Sequence, residues 1–192
     1  MIKKIQIFFL LTFMFSFAAK ADSDFPLYGT KDAKIKIKVF SSLTCPYCAE
    51  FHNKILPNIK KKYVLTEKVS IELLDFPLDL AGLKAAQVQK CLIPENQKIY
   101  LDKIYLTQSK WTSAKTLKEL EANLENITKE LGLNGDEFQK CLKNKKHEDT
   151  VLQSRINAQT KYEIKSTPTF VINEKKFKGS INDLEKHIKK LL

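Results

Sequence analysis

Polar and apolar positions alternate most cleanly at residues 34–40, KIKIKVF, where Ile35, Ile37 and Val39 share one face and lysines the other. A period of two predicts a strand with one buried face. The period then changes at once. Thr44 is placed to cap a helix, Pro46 suits its first turn, and Ala49, Phe51, His52, Ile55 and Leu56 follow at helical spacing. A second β-rich run, VSIELLDF at 69–76, stops at Pro77. Strand, helix, strand implies a parallel pair joined by a right-handed crossover.

Over 79–162 the spacing is helical, and the stretch is too long for a connecting loop. Ala81, Ala85, Val88, Cys91 and Leu92 share a face. Thr116 with Glu119 reads as a capping box ahead of the stripe Leu117, Leu120, Leu124, Ile127 and Leu131, which Gly132 ends. Phe138, Cys141 and Leu142 repeat the pattern. The chain then returns to sheet with TFVIN at 169–173, and KKFKG at 175–179 pairs with it across a turn at Asn173 and Glu174. Ser180 and Asp183 cap a last helix carrying Ile181, Leu184, Ile188 and Leu191. The order is α/β, a small mixed sheet flanked by helices and split by a helical insertion.

The first residues stand apart from that pattern. Lys3 and Lys4 precede an apolar run from Ile5 to Ala19, followed by Lys20 and Ala21, the shape of a secretory signal peptide cut after Ala21. The run is shorter than the roughly 20 apolar residues of a membrane-spanning helix. Removing 21 of 192 residues leaves 171, enough for one domain with an insertion. The net charge of +11 would suit a nucleic acid, but only Arg155 among the 33 basic residues is arginine. Base readout and stacking lean on arginine and aromatics, so the lysines read as a solvated surface and no nucleic-acid partner is expected.

Export permits disulfides, and the four cysteines form an even set. Cys45 and Cys48 flank Pro46 and Tyr47 at a predicted helix N-terminus, where the partial positive charge and free N–H groups favour a thiolate. That position makes Cys45 the attacking sulfur and Cys48, one turn in, the resolving one. A zinc site needs four N or S ligands, and no second Cys-x-x-Cys or His-x-x-x-His supplies them, so no metal is expected. His52 reads as a partly exposed helix histidine. A staple across so short a loop would stabilise little. Cys91 and Cys141, 50 apart on two helices, suit a staple better; the other reading is two free buried thiols. In STPTFVIN at 166–173, Pro168 before a strand can be cis, leaving the backbone of Thr167 free for an extended substrate, or it can be an ordinary trans proline.

Taken together, the leader, TCPYC at a strand-to-helix turn, the helical insertion, STPTFVIN and the final helix resemble the DsbA family of thiol-disulfide oxidoreductases. The resemblance implies a thioredoxin-like domain of residues 22–78 and 163–192, with the insertion at 79–162. It implies that Cys45 is the nucleophile, Cys48 its buried partner and Pro168 a cis-proline. Thr167, with Pro46 and Tyr47, would tune the dithiol and meet substrate. FPLDLAGLKAA at 76–86 with Cys91 and Cys141 is similar to alphaproteobacterial-type members, which often carry a second cysteine pair. The expected activity is oxidation of reduced exported proteins or peptides in the periplasm. The expected protein is a monomer without a cofactor, recycled by a membrane quinone-linked partner resembling DsbB. Two departures stand out. Pro46-Tyr47 is also the glutaredoxin dipeptide, leaving the potential open, and Val39 stands where the family has a buried acid. A reductase or isomerase of the same fold, or a non-enzymatic holdase or metal-delivery protein, is the alternative. An isomerase's dimerisation domain has no room before the first strand.

Overall fold

In the computed structural model residues 24–192 are described. The leader and its cut after Ala21 lie outside them. One sheet holds β1 (Leu27–Tyr28), β2 (Ile35–Ser41), β3 (Val69–Asp75), β4 (Thr169–Ile172) and β5 (Lys175–Lys176), in the order β1-β3-β2-β4-β5. β2 and β3 run parallel, in register from Ile35 opposite Val69 to Ser41 opposite Asp75; the other pairs are antiparallel. Ile35, Ile37 and Val39 are buried on one face. The other face of β2 is not simply solvated. Phe40 joins a smaller cluster with Phe76, Ala158, Ile164 and Val171, and Lys38 covers its edge, bonded to Glu174 and the Tyr162 hydroxyl. β1 is two residues long, too short to show a period. It is placed by Gly29, whose φ of +86° and 2.7 Å Cβ approach to the Val69 carbonyl admit only glycine.

The helix after β2 runs from Pro46 to Val64, but not with one pitch. α1 (Pro46–Glu50) and α2 (Leu56–Ile59) are separated by a wide turn at Phe51–Ile55, and a second wide turn follows at Lys60–Val64. Pro57 has no N–H to donate, and just ahead of it the Leu56 N–H reaches back five residues to the Phe51 carbonyl. Phe51 and His52, on the face shared by Cys48, Leu56 and Ile59, are both buried. The expected partly exposed His52 is therefore corrected: it is 4% exposed.

Between β3 and β4 lie α3 (Leu80–Lys90), α4 (Pro94–Leu106), α5 (Gln108–Trp111), α6 (Leu117–Thr128), α7 (Gly135–Leu142) and α8 (Lys145–Tyr162). α3 is enclosed beyond its apolar face, with Gln87 and Gln89 buried as well. Gln87 Nε2 donates to the carbonyls of Cys141, Leu142 and Asn144 at 3.1–3.2 Å, satisfying the end of α7. Thr116 caps α6 through the Glu119 N–H, but the Glu119 carboxylate accepts from Lys115 rather than Thr116, and Leu117 is exposed. At the chain's end a 3₁₀ turn under the Ser180–Asp183 box leads into α9 (Leu184–Leu191). Side chains of the sheet and of these helices share one main core.

Candidate active site

β2 delivers the chain to a tight turn that carries both active-site candidates. The Cys45 N–H bonds the Ser42 carbonyl, and Cys45, with φ −81° and ψ 120°, is itself the cap position, followed by Pro46 at the first helical position. Thr44 does not cap α1, as its place in the sequence suggests. Its hydroxyl donates to Asp79 Oδ2 at 2.8 Å, and Asp79 Oδ1 in turn accepts from Gly82 N and caps α3. One carboxylate thus ties the cysteine turn to the helical part, and the free N–H groups at the start of α1 are left without a side-chain cap.

Cys45 is 6% exposed, Cys48 is 1% exposed, and both thiols are free. Tyr47 between them is 68% exposed. The Thr167–Pro168 bond is cis, and as a thiol Cys45 donates to the Thr167 carbonyl at 3.4 Å. The Thr167 hydroxyl is buried without a hydrogen-bond partner and acts on both sulfurs. Phe51 packs edge-on against Phe170 at 5.0 Å, holding β4 against the cysteine helix. Gln108 Nε2 donates to the carbonyls of Leu43 and Cys45 at 2.8 and 3.0 Å, a brace from α5 that no local pattern announces. Beside the cysteines a cleft of about 340 Å³ is lined by Tyr47, Thr167, Pro168, Phe177 and Ile181.

The two thiols are strongly unequal. Cys45 is pulled down to about 5, chiefly by a hydrogen bond from the Cys48 thiol; burial opposes this, while Thr167 and the N–H groups of Cys48 and Tyr47 add to it. Burial pushes Cys48 far up, and the charge and hydrogen bond of Cys45 push it further. At neutral pH the pair is one thiolate and one thiol. Val39, at the position where the family resemblance implies a buried acid, is buried and apolar. Among the described residues the buried acid is Asp75, 2.8 Å from Lys90 with both side chains nearly enclosed. Tyr105 is raised by burial first and then by the charge of Cys48, with Asp75 contributing too. His52 stacks on Tyr105 at 4.7 Å and bonds the exposed Asp102 at 2.7 Å.

Cys91 and Cys141 stand apart from this site, joined in a disulfide between the end of α3 and α7. The sequence-derived candidates thus separate into one cluster of Cys45, Pro46, Tyr47, Cys48, Thr167 and Pro168, and one remote bridge.

A family model described as thioredoxin matches residues 22–190. The chain belongs to the thioredoxin family. A protein of Rickettsia bellii, named a protein-disulfide oxidoreductase, is 30% identical over 180 residues, covering 93% of this chain and 68% of that one. Across the Rickettsia relatives the chain spans 55–68% of their length. Disulfide bond formation protein D of Bacillus anthracis is 28% identical over 171 residues, 85% of this chain and 76% of that one. The crystal structure of Wolbachia pipientis alpha-DsbA1 superposes with a TM-score of 0.75 at 29% identity, over 87% of this chain and 90% of that one. Within the thioredoxin family this is a thiol-disulfide oxidoreductase of the DsbA type.

Proposed function

We propose that this protein is an oxidase: its Cys45–Cys48 disulfide is passed to reduced exported proteins or peptides in the periplasm. Cys48 keeps its proton while Cys45 is the thiolate, so the reduced form is the stabilised one and the disulfide is oxidising. A substrate thiolate attacks Cys45, Cys48 Sγ leaves, and the mixed disulfide resolves when a second substrate thiolate attacks the substrate sulfur and Cys45 departs as thiolate. The acid Cys45 carries this reading. Thr167 and Pro168 meet an extended substrate backbone, and Pro46 and Tyr47 set the environment of the sulfur. Tyr47, Leu78 and Leu106 are exposed on three segments tied to the cysteine turn, which favours chains whose apolar side chains are not yet buried. The same reading divides the chain into a thioredoxin-like part, 22–78 and 163–192, and a helical insertion, 79–162. It acts as a monomer without a cofactor and is reoxidised by a membrane quinone-linked protein resembling DsbB.

Two measurements test it. Equilibration against glutathione should give a potential nearer the roughly −120 mV of a DsbA than the roughly −270 mV of a thioredoxin. A value at the thioredoxin end makes the protein a reductase. Cys45→Ser, folded by circular dichroism, should abolish oxidation of a reduced substrate protein; unchanged oxidation would remove Cys45 from the mechanism.

A further inference from the structure

Beside the remote disulfide lies a third donor. Cys91 closes α3, Cys141 sits in α7 and His147 in the first turn of α8, and among the described residues their ligand atoms all lie within 4.8 Å of one another. His147 Nδ1 is 3.1 Å from Cys91 Sγ. A sulfur held in a disulfide has no proton to give this nitrogen and accepts only weakly from it. The placement is therefore of little use to the oxidised pair.

We propose that reduction of the Cys91–Cys141 bond uncovers a binding site for Cu(I), held by the two sulfurs and the His147 imidazole. A dithiol supplies the two electrons and two protons: its own sulfurs join as the Cys91–Cys141 bond breaks into two thiols. Cu(I) then binds both sulfurs and Nδ1, and the two thiol protons leave to solvent.

The scaffold suits both halves of this cycle. Cys91 is half-buried, so a dithiol can approach it, while Cys141 is buried. The Gln87 carbonyl lies 3.6 and 3.8 Å from the two sulfurs and can accept hydrogen bonds from them once they are thiols. Opening the bridge does not release the helices, because Gln87 Nε2 still binds three carbonyls at the end of α7. Asn144 still caps α8 through the His147 N–H at 3.3 Å. With Cα atoms 6.0 Å apart, rotation of the two side chains alone brings both sulfurs to one ion. Thiolate donors select soft d¹⁰ ions. A closed zinc site takes four protein ligands, whereas this group has three. Two thiolates on a monovalent ion leave one negative charge, which Lys146 offsets; Lys90, which also acts on His147, is paired with Asp75, and Asp24 acts in the opposite sense.

The test uses the full chain carrying Cys45→Ser and Cys48→Ser, so that the active-site thiols cannot bind metal. After phosphine reduction without oxygen, Cu(I) is titrated in competition with a chromophoric Cu(I) chelator, and Zn²⁺ in a parallel arm. The reduced chain should take one equivalent of Cu(I) and show sulfur-to-copper absorbance in the near ultraviolet, while the oxidised chain leaves the metal on the chelator. Since loss of even an outer-shell partner costs about 10–100-fold, adding His147→Ala should weaken binding at least about tenfold. Equal affinity of reduced and oxidised chains, or equal affinity with and without His147, folded or not, overturns the site. Preference for Zn²⁺ over Cu(I) overturns the choice of ion.

Discussion

Moving the pH through the Cys45 pKa changes how many protons accompany reduction. Below about 5, reduction of the Cys45–Cys48 disulfide takes two electrons and two protons, and the potential falls by about 59 mV per pH unit. Above about 5, Cys45 leaves as thiolate while Cys48, pushed up by burial and by Cys45, keeps its proton, so the slope halves to about 30 mV. The sign for stability follows from the same asymmetry. The folded pKa of Cys45 lies below its unfolded value of about 8.5, so the reduced fold gains stability that is complete above that value and is lost as pH falls through about 5. At pH 7 the gain is roughly 3 kcal/mol, equivalent to about 60 mV of added oxidising power. Alkylation of the reduced protein by iodoacetamide, followed by mass from pH 3 to 9, should show one reactive thiol with a midpoint near 5. The potential against glutathione buffers should bend at the same pH. A midpoint near that of free cysteine, or a slope near 59 mV per unit persisting through pH 7, would refute the reasoning.

Three further outcomes follow from the packing. Gly29→Ala, which needs a left-handed φ and drives a methyl against the Val69 carbonyl, should cost about 2 kcal/mol in urea unfolding; an unchanged midpoint would mean β1 is not held by that approach. Asp79→Ala removes both the cap of α3 and the partner of Thr44 and should cost about 1–2 kcal/mol, against a few tenths if the carboxylate were merely solvated. Replacing Cys91 and Cys141 together by serine frees a loop of 50 residues and should destabilise the oxidised protein by about 4 kcal/mol, read as a lower thermal midpoint.

The chemistry at Cys45 and the means of supporting it were not equally legible. The strand before it, the proline after it and the burial of Cys48 all follow from neighbours within one helical turn. The cap was misread for the same reason. Thr44 has the right side chain in the right place, but Asp79, 35 residues on, draws its hydroxyl away and leaves the cysteine in the capping position. The burial of His52 is not legible because a histidine is polar, yet it lies on the apolar face with Phe51, where the Tyr105 ring covers it and the Asp102 carboxylate pairs with its imidazole. Gln108 and Asp75 carry no local signal, since a polar residue destined for a buried bond looks like any other surface residue.

What the amino-acid order determined by itself was therefore the periodic and the adjacent: a half-buried strand at 35–41, a thiol at a helix start, an enclosed helical stretch and a capped last helix. Those signals come from side-chain repeat and from hydrogen bonds reaching three or four residues, which a chain carries before it folds. Tertiary structure alone decided that Thr167 meets Cys45 across 122 residues, that Gln108 braces the cysteine turn and that His147 stands beside Cys91. Contacts of that kind depend on how sheet and helices pack against one another, and packing is settled only when the whole apolar core is buried at once.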